Sequence, residues 1–214
     1  MVAKKTPADP SASTPVGTRP LSKSELTRER IIASAARVLA DRGYAGTKLS
    51  DIARAAGIQA GSLYYHFADR DDIVDHVLRR GVREVFDTVR TTVEALPNDA
   101  DHQRILETAI RAHLSVILDP TDVASASLRL LGQLPPETQR RYRAAQRGYG
   151  DYWHSIITAA QDHGAIRADI DPIRLRLLII GQLNWVAEWP RAATAARVDL
   201  EREAVALIMT GLRG

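Results

Sequence analysis

Residues 28–72 read RERIIASAARVLADRGYAGTKLSDIARAAGIQAGSLYYHFADRDD, and the spacing inside this stretch decides the fold. Ile32, Ala35, Ala36 and Leu39 recur at three-and-four intervals, the stripe of a helix packed on one side, and the helix stops before Gly43. Ser22 and Glu25, just upstream, offer a capping box for its first turn. Thr47 is placed to cap a second, short helix from Lys48 to about Ala56, on which Leu49, Ile52, Ala53 and Ala56 share one face until Gly57 ends it. After a turn at Gly57 and Ile58 comes a very short third helix, Ala60 to Phe67, with Leu63 and Phe67 one turn apart and facing inward. Asp69, with Asp72 three residues on, caps the next.

Working outward, that fourth helix runs from about Arg70 to Leu96, where Pro97 stops it. Its ridge of Val74, Val77, Leu78, Val82, Val85, Phe86, Val89 and Val93 makes a rod of roughly 40 Å, able to link two bodies and carry motion between them. Further helices are expected at about 100–118, 121–133, 136–163, 172–189 and 199–212, with Pro120, Pro136 and Pro172 in first turns and Gly164 at an end. Gly148 and Gly150 weaken the longest of these and invite a bend. Alternating strand patterns are absent, so the expected fold is all-α, about nine helices, with a helix-turn-helix head at 24–70 and a larger helical body at 71–214. Residues 1–23 carry Pro7, Pro10, Pro15 and Pro20 among small polar residues, with Lys4, Lys5, Arg19 and Lys23 against Asp9, and read as a disordered basic arm. Such an arm is either a solvated tail or a segment that reaches a DNA groove.

The 214 residues are 45% hydrophobic and 26% charged, a globular balance with enough apolar material for a buried core. The absence of cysteine removes disulfides, thiolate catalysis and cysteine-based metal sites, and suits a reducing cytoplasm. No apolar run of about 18 residues and no leader pattern occurs, so neither export nor a membrane span is expected. A net charge of +3 permits a polyanionic partner without demanding one.

Two helices joined by a glycine turn, the second only two turns long and without acidic groups, form an arrangement that sets a helix into the DNA major groove. With Leu63 and Phe67 inward, Ala60, Gly61, Tyr64, Tyr65 and His66 fall partly or wholly outward. The small residues let the backbone approach, and the hydroxyls and imidazole can meet phosphates or base edges. The alternative is that Tyr64 and Tyr65 pad the junction with the fourth helix; spacing leaves both readings open.

The same stretch resembles the DNA-binding domain of the TetR (tetracycline repressor) family of bacterial transcription regulators. The resemblance rests on the Ala-rich first helix ending in Arg42-Gly43-Tyr44, on Thr47 to Gly57 with Ile52-Ala53 and Ala55-Ala56-Gly57, and on Leu63-Tyr64-Tyr65-His66-Phe67. It implies that Lys48 and Tyr64 hold backbone phosphate, that Gly61, Ser62 and Tyr65 lie against bases, and that His66 and Arg70 reach phosphate at the helix ends. The sequence departs from the family pattern at Leu39 (commonly Phe), Gln59 (commonly a Ser cap), Ala60 (commonly Lys) and Arg70 (commonly Lys). Loss of the Ser cap weakens the recognition helix by about 1 kcal/mol unless Gln59 or DNA compensates.

For the body, the residues themselves must speak. Ile173 to Trp189 is apolar around more than half its circumference, so it buries two sides, one on its own domain and one on a partner. Leu178, Gly181 and Val186, with Val205, Ile208 and Leu212 of the last helix, are the expected dimer interface, and this resembles the paired last helices of TetR-family dimers. Two-fold symmetry would then match a palindromic operator, with recognition helices about 34 Å apart. Phe86, His113, Leu114, Leu128, Tyr149, Trp153, Asn184 and Trp185 are candidate walls of a ligand cavity, each with ordinary core packing as the alternative. The run Ala165-Ile166-Arg167-Ala168-Asp169, then Asp171-Pro172 and Asn184-Trp185 through Glu188-Trp189, looks like regulators that sense lipid-derived or acyl-CoA ligands, with Pro190 interrupting the usual continuation.

Catalytic patterns do not hold up. GYAGTK at 43–48 lacks phosphate-loop spacing, GYGDYW at 148–153 lacks a third glycine and a preceding strand, and the six histidines show no zinc-hydrolase pair. The expectation is a homodimeric, ligand-responsive DNA-binding repressor that is no enzyme and carries no cofactor and no metal. The competing expectation is an architectural DNA-binding protein with no effector.

Overall fold

The computed structural model describes residues 22–119, 123–186 and 194–213, with side chains of 194–197 excepted. Of the expected arm at 1–23, Ser22 and Lys23 instead cap and open the first helix, whereas residues 1–21, the expected first turn at Pro120 and the Glu188–Trp189 pattern with Pro190 lie outside the described residues. These residues form ten α-helices and no strand: α1 (Lys23–Gly46), α2 (Leu49–Ala55), α3 (Ala60–Leu63), α4 (Arg70–Glu94), α5 (His102–Ile117), α6 (Val123–Leu130), α7 (Pro136–Ala145), α8 (Arg147–Asp162), α9 (Pro172–Trp185) and α10 (Thr194–Gly211). A 3-10 turn, Leu131–Gln133, extends α6.

The capping box forms as the sequence predicts: Glu25 N donates to Ser22 Oγ and Ser22 N to the Glu25 carboxylate. Gly43 breaks helical geometry at φ 67°, ψ 177°, a backbone region that favours glycine. Thr47 does not cap α2. It is buried, and its hydroxyl donates back to the Gly43 carbonyl at 2.7 Å, so the loop closes on itself and α2 starts after Lys48 without a side-chain cap. α3 is shorter than the expected Ala60–Phe67. Gln59 makes no cap bond, and after Leu63 the chain tightens into a turn with His66 N bonded to Leu63 O at 2.9 Å. The expected 136–163 helix is two helices, α7 and α8. The break falls at Gln146, just before Gly148 and Gly150, and accounts for the tenth helix.

Two apolar clusters share α4. Around α1–α3, the head core takes in Ile73, Val74, Val77 and Leu78 of α4, and reaches Ala126 and Leu130 of α6 and Tyr142 of α7. Further along, Val85 and Val89 belong to the body core with Leu106, Ile110, Trp153, Ile157, Leu175 and Ile179. α6 therefore touches the head and the body at once, and Gln133 at its end accepts a bond from the Tyr44 amide at 3.0 Å. Among the described residues no helix is long and apolar enough to cross a membrane.

Candidate DNA interface, effector cavity and dimer face

Leu63 and Phe67 anchor the third helix in the head core, and their burial turns the opposite side outward. Tyr64 is 64% and Tyr65 89% exposed, so neither fills the junction with α4. Gly61 is open, with no atom within 4 Å of where a side chain would start, and Lys48 is exposed at the head of α2. Ser62 and His66 are half-buried. Arg70 is turned inward: its guanidinium lies 4.3 Å over the Tyr44 ring and donates to the carbonyls of Tyr44 and Thr47. That brace joins α4 to the α1–α2 turn, a structural task that its sequence position gave no reason to expect.

Arg28 escaped the sequence reading. It lies 4.2 Å over the Phe67 ring, donates to the His66 carbonyl and sets a second nitrogen 2.5 Å from His76 Nε2. His76 Nδ1 in turn meets the Asp72 carbonyl at 2.8 Å. A cation at the carbonyl end of the recognition segment stabilises it through the exposed C=O groups there. The available signal was the stripe itself, since Arg28 continues Ile32, Ala35 and Leu39 at helical spacing.

In the body, a small chamber of about 30 Å³ lies between α4, α5, α6, α8 and α9, walled by Val82, Val85, Ile117 and Leu128. His113, Tyr149 and Asn184 form its polar side: His113 Nδ1 is 2.7 Å from the Tyr149 hydroxyl and Nε2 is 3.1 Å from Asn184 Oδ1. Burial pushes the His113 pKa down to about 4 and raises that of Tyr149, so both are neutral. Gln146, Tyr149, Ile180 and Asn184 also line a wider vestibule of about 470 Å³ that carries Arg143, Arg147, Arg176 and Asp151. Three guanidinium groups face one carboxylate there. Gly150 makes room for this, because a methyl at that position would sit 2.6 Å from Arg176 Nη1.

Of the expected cavity residues, the structure brings His113, Leu128, Tyr149 and Asn184 together. Leu114 and Trp153 are sealed in the body core behind the cavity, and Phe86 packs on Tyr149 and Tyr152 at the α4–α8 crossing. Trp185 is 64% exposed and away from this cavity, a correction that follows from a helix whose apolar residues spread over more than half of its circumference. The arginines of the vestibule were missed, since Arg on the polar side of a helix is ordinarily just solvated.

Leu177, Leu178, Trp185 and Leu207 leave a broad apolar cleft of about 690 Å³ open along α9 and α10. Leu178, Gly181 and Val186, three of the residues expected at a dimer interface, line it, and Ile208 reaches it from the core side. Val205 and Leu212 turn inward onto their own body core at 2% and 5% exposure, so the outward face of α10 belongs to Leu207 instead. Among the described residues no cluster of three or more potential metal ligands occurs.

Residues 31–77 match the model for "Bacterial regulatory proteins, tetR family", and residues 99–212 match "Tetracyclin repressor-like, C-terminal domain". The HTH-type transcriptional repressor KstR2 of Mycobacterium tuberculosis is 30% identical over 84% of this chain and 90% of its own. The fold is shared with a FadR regulator from Bacillus subtilis solved with stearoyl-CoA (TM-score 0.72, 21% identity, 86% of this chain and 99% of that one). It is shared too with AibR, solved with isovaleryl coenzyme A and operator DNA (TM-score 0.71, 22% identity, 87% and 97%).

Proposed function

The chain belongs to the tetR family of bacterial regulatory proteins, and from that premise we infer that it is a homodimeric repressor released from a palindromic operator by an acyl-CoA-like effector. The observation that carries the effector class is the two-part cavity, a chamber walled by Val82, Val85, Ile117 and Leu128 that shares a polar neck of Gln146, Tyr149 and Asn184 with an arginine-lined vestibule. A hydrocarbon body suits the first compartment and a polyanionic head the second. That FadR and AibR were solved with acyl-coenzyme A ligands supports the same reading. DNA contact is assigned to Lys48, Gly61, Ser62, Tyr64, Tyr65 and His66, with Arg70 acting mainly through its brace on the α1–α2 turn. Its work with DNA places it in the cytoplasm.

The chamber is far smaller than the 300 Å³ or more that ligand pockets usually offer. Entry of an acyl chain therefore has to part α4 and α6 from α8 and α9. Both moving walls lead to the head: α4 begins beside the recognition segment, and α6 ends in the Gln133 bond to Tyr44. An effector that binds the parted state better by a few kcal/mol shifts the population away from the DNA-competent spacing. The test is selection of a duplex from random DNA by the purified protein, followed by gel-shift titration with acyl-CoAs from butyryl to stearoyl, free CoA and the free acids. A palindrome released by an acyl-CoA alone is the expected result. Recovery of no specific duplex would overturn the DNA assignment, and a duplex indifferent to every acyl-CoA would overturn the effector class.

A further inference from the structure

The polar neck between chamber and vestibule has a direction built into it. Neutral imidazole carries one N–H, and the Asn184 Oδ1 atom 3.1 Å from His113 Nε2 can only accept, so the proton sits on Nε2. His113 Nδ1 is then the acceptor for the Tyr149 O–H at 2.7 Å. With Oδ1 facing the imidazole, the chain runs one way, Tyr149 to His113 to Asn184. The Nδ2 group on the other branch makes no hydrogen bond among the described residues, and Asn184 lines both compartments. A donor pair thus waits, oriented, where the apolar space gives way to the cationic space.

We propose that Asn184 is the specificity residue of the effector site, donating from Nδ2 to the carbonyl oxygen that joins an apolar acyl body to its thioester-linked head, with His113 and Tyr149 as positioning residues. This rests on the acyl-CoA reading above. In such a ligand the thioester carbonyl is the polar group adjoining the hydrocarbon body, which is the place the neck marks. A ligand with the same tail and head but a methylene for that carbonyl leaves Nδ2 unmet. Asn184→Asp replaces the donors with acceptors and turns attraction into repulsion, whereas Asn184→Leu removes the hydrogen bond altogether.

The experiment is isothermal titration of the full-length dimer with palmitoyl-CoA and with its thioether analogue S-hexadecyl-CoA. Wild type is expected to favour the thioester by roughly five- to tenfold, the size of one net hydrogen bond. Asn184→Leu should bring that ratio to about one, and Asn184→Asp should lower thioester affinity more than thioether affinity; circular dichroism confirms that each variant is folded. His113→Leu, which leaves Asn184 in place but free to flip, should lose part of the preference. Equal binding of the two ligands by wild type, or a preference that survives Asn184→Leu, overturns the assignment. Failure of wild type to bind either ligand overturns the acyl-CoA reading first and the neck assignment with it.

Discussion

Tyr65 and Arg70 lie five positions apart and meet opposite fates: the tyrosine is 89% exposed, while the arginine is folded onto Tyr44 and the backbone of the α1–α2 turn. Tyr65→Ala should therefore leave thermal stability within about 0.5 kcal/mol of wild type and lower affinity for the selected operator at least tenfold. A gel shift unchanged by the substitution would remove Tyr65 from the interface. Arg70 cannot be probed so cleanly, because its loss loosens the head as well. His113 offers a test of a different kind. Burial lowers its pKa from 6.5 to about 4, so between these values the unfolded chain holds a proton that the folded one excludes. The stability it permits is whole above pH 6.5 and declines as pH falls toward 4, by about 1.4 kcal/mol per unit at most. Urea midpoints across that range should fall more steeply for wild type than for His113→Leu; parallel slopes would place the imidazole in contact with water.

At the scale of elements, α4 and α6 approach tightly at Gly81. A Cβ on Gly81 would meet Ser127 Oγ at 2.7 Å and the Ala124 Cα at 2.9 Å, and the second of these is backbone that cannot swing aside. Alanine normally stabilises a helix by about 1 kcal/mol over glycine, so the sign of the change is informative. Gly81→Ala should destabilise by about 1–3 kcal/mol through the forced separation, and should also weaken operator binding, since both helices lead to the head. A stabilised variant would show that the crossing has slack. Much of this architecture could be read from spacing, because caps, glycine stops and apolar stripes are local: Ser22–Glu25, Gly43, Asp69 and Pro97 act where the chain order puts them. The site was legible only in part. His113, Tyr149 and Asn184 come from α5, α8 and α9, and nothing local tells that their polar atoms converge. Trp185 is misplaced by the sequence for a related reason: the apolar and polar residues of α9 are interspersed around the helix, so its sequence carries no phase to say which side faces the body.

For the whole molecule the same lack of phase in α9 has a use, since a helix apolar on two sides can serve its own core and a second copy together. The cleft along α9 and α10 shares Leu177 and Gly181 with the arginine vestibule, so a partner laid against the cleft also borders the mouth of the effector site. On the proposed dimer, geometry and effector entry meet at one edge, where the contacts that space the two recognition segments would also border the ligand. A large apolar surface of this kind is stable in water only when covered. Gly181 is the place to test it, because a side chain there meets no atom of its own protomer within 4 Å. Gly181→Arg should keep the helical content and folding of the monomer while planting a cation in the apolar seam, where an unpaired charge costs several kcal/mol. Light scattering should report half the wild-type mass. Operator affinity should fall steeply, because one recognition helix then binds without the second half-site held in reach. Leu207→Asp, placed on α10 away from the vestibule, should give the same loss of mass while sparing acyl-CoA contacts on the arginines. Two variants that both remain at dimer mass would move the two-fold axis to another face.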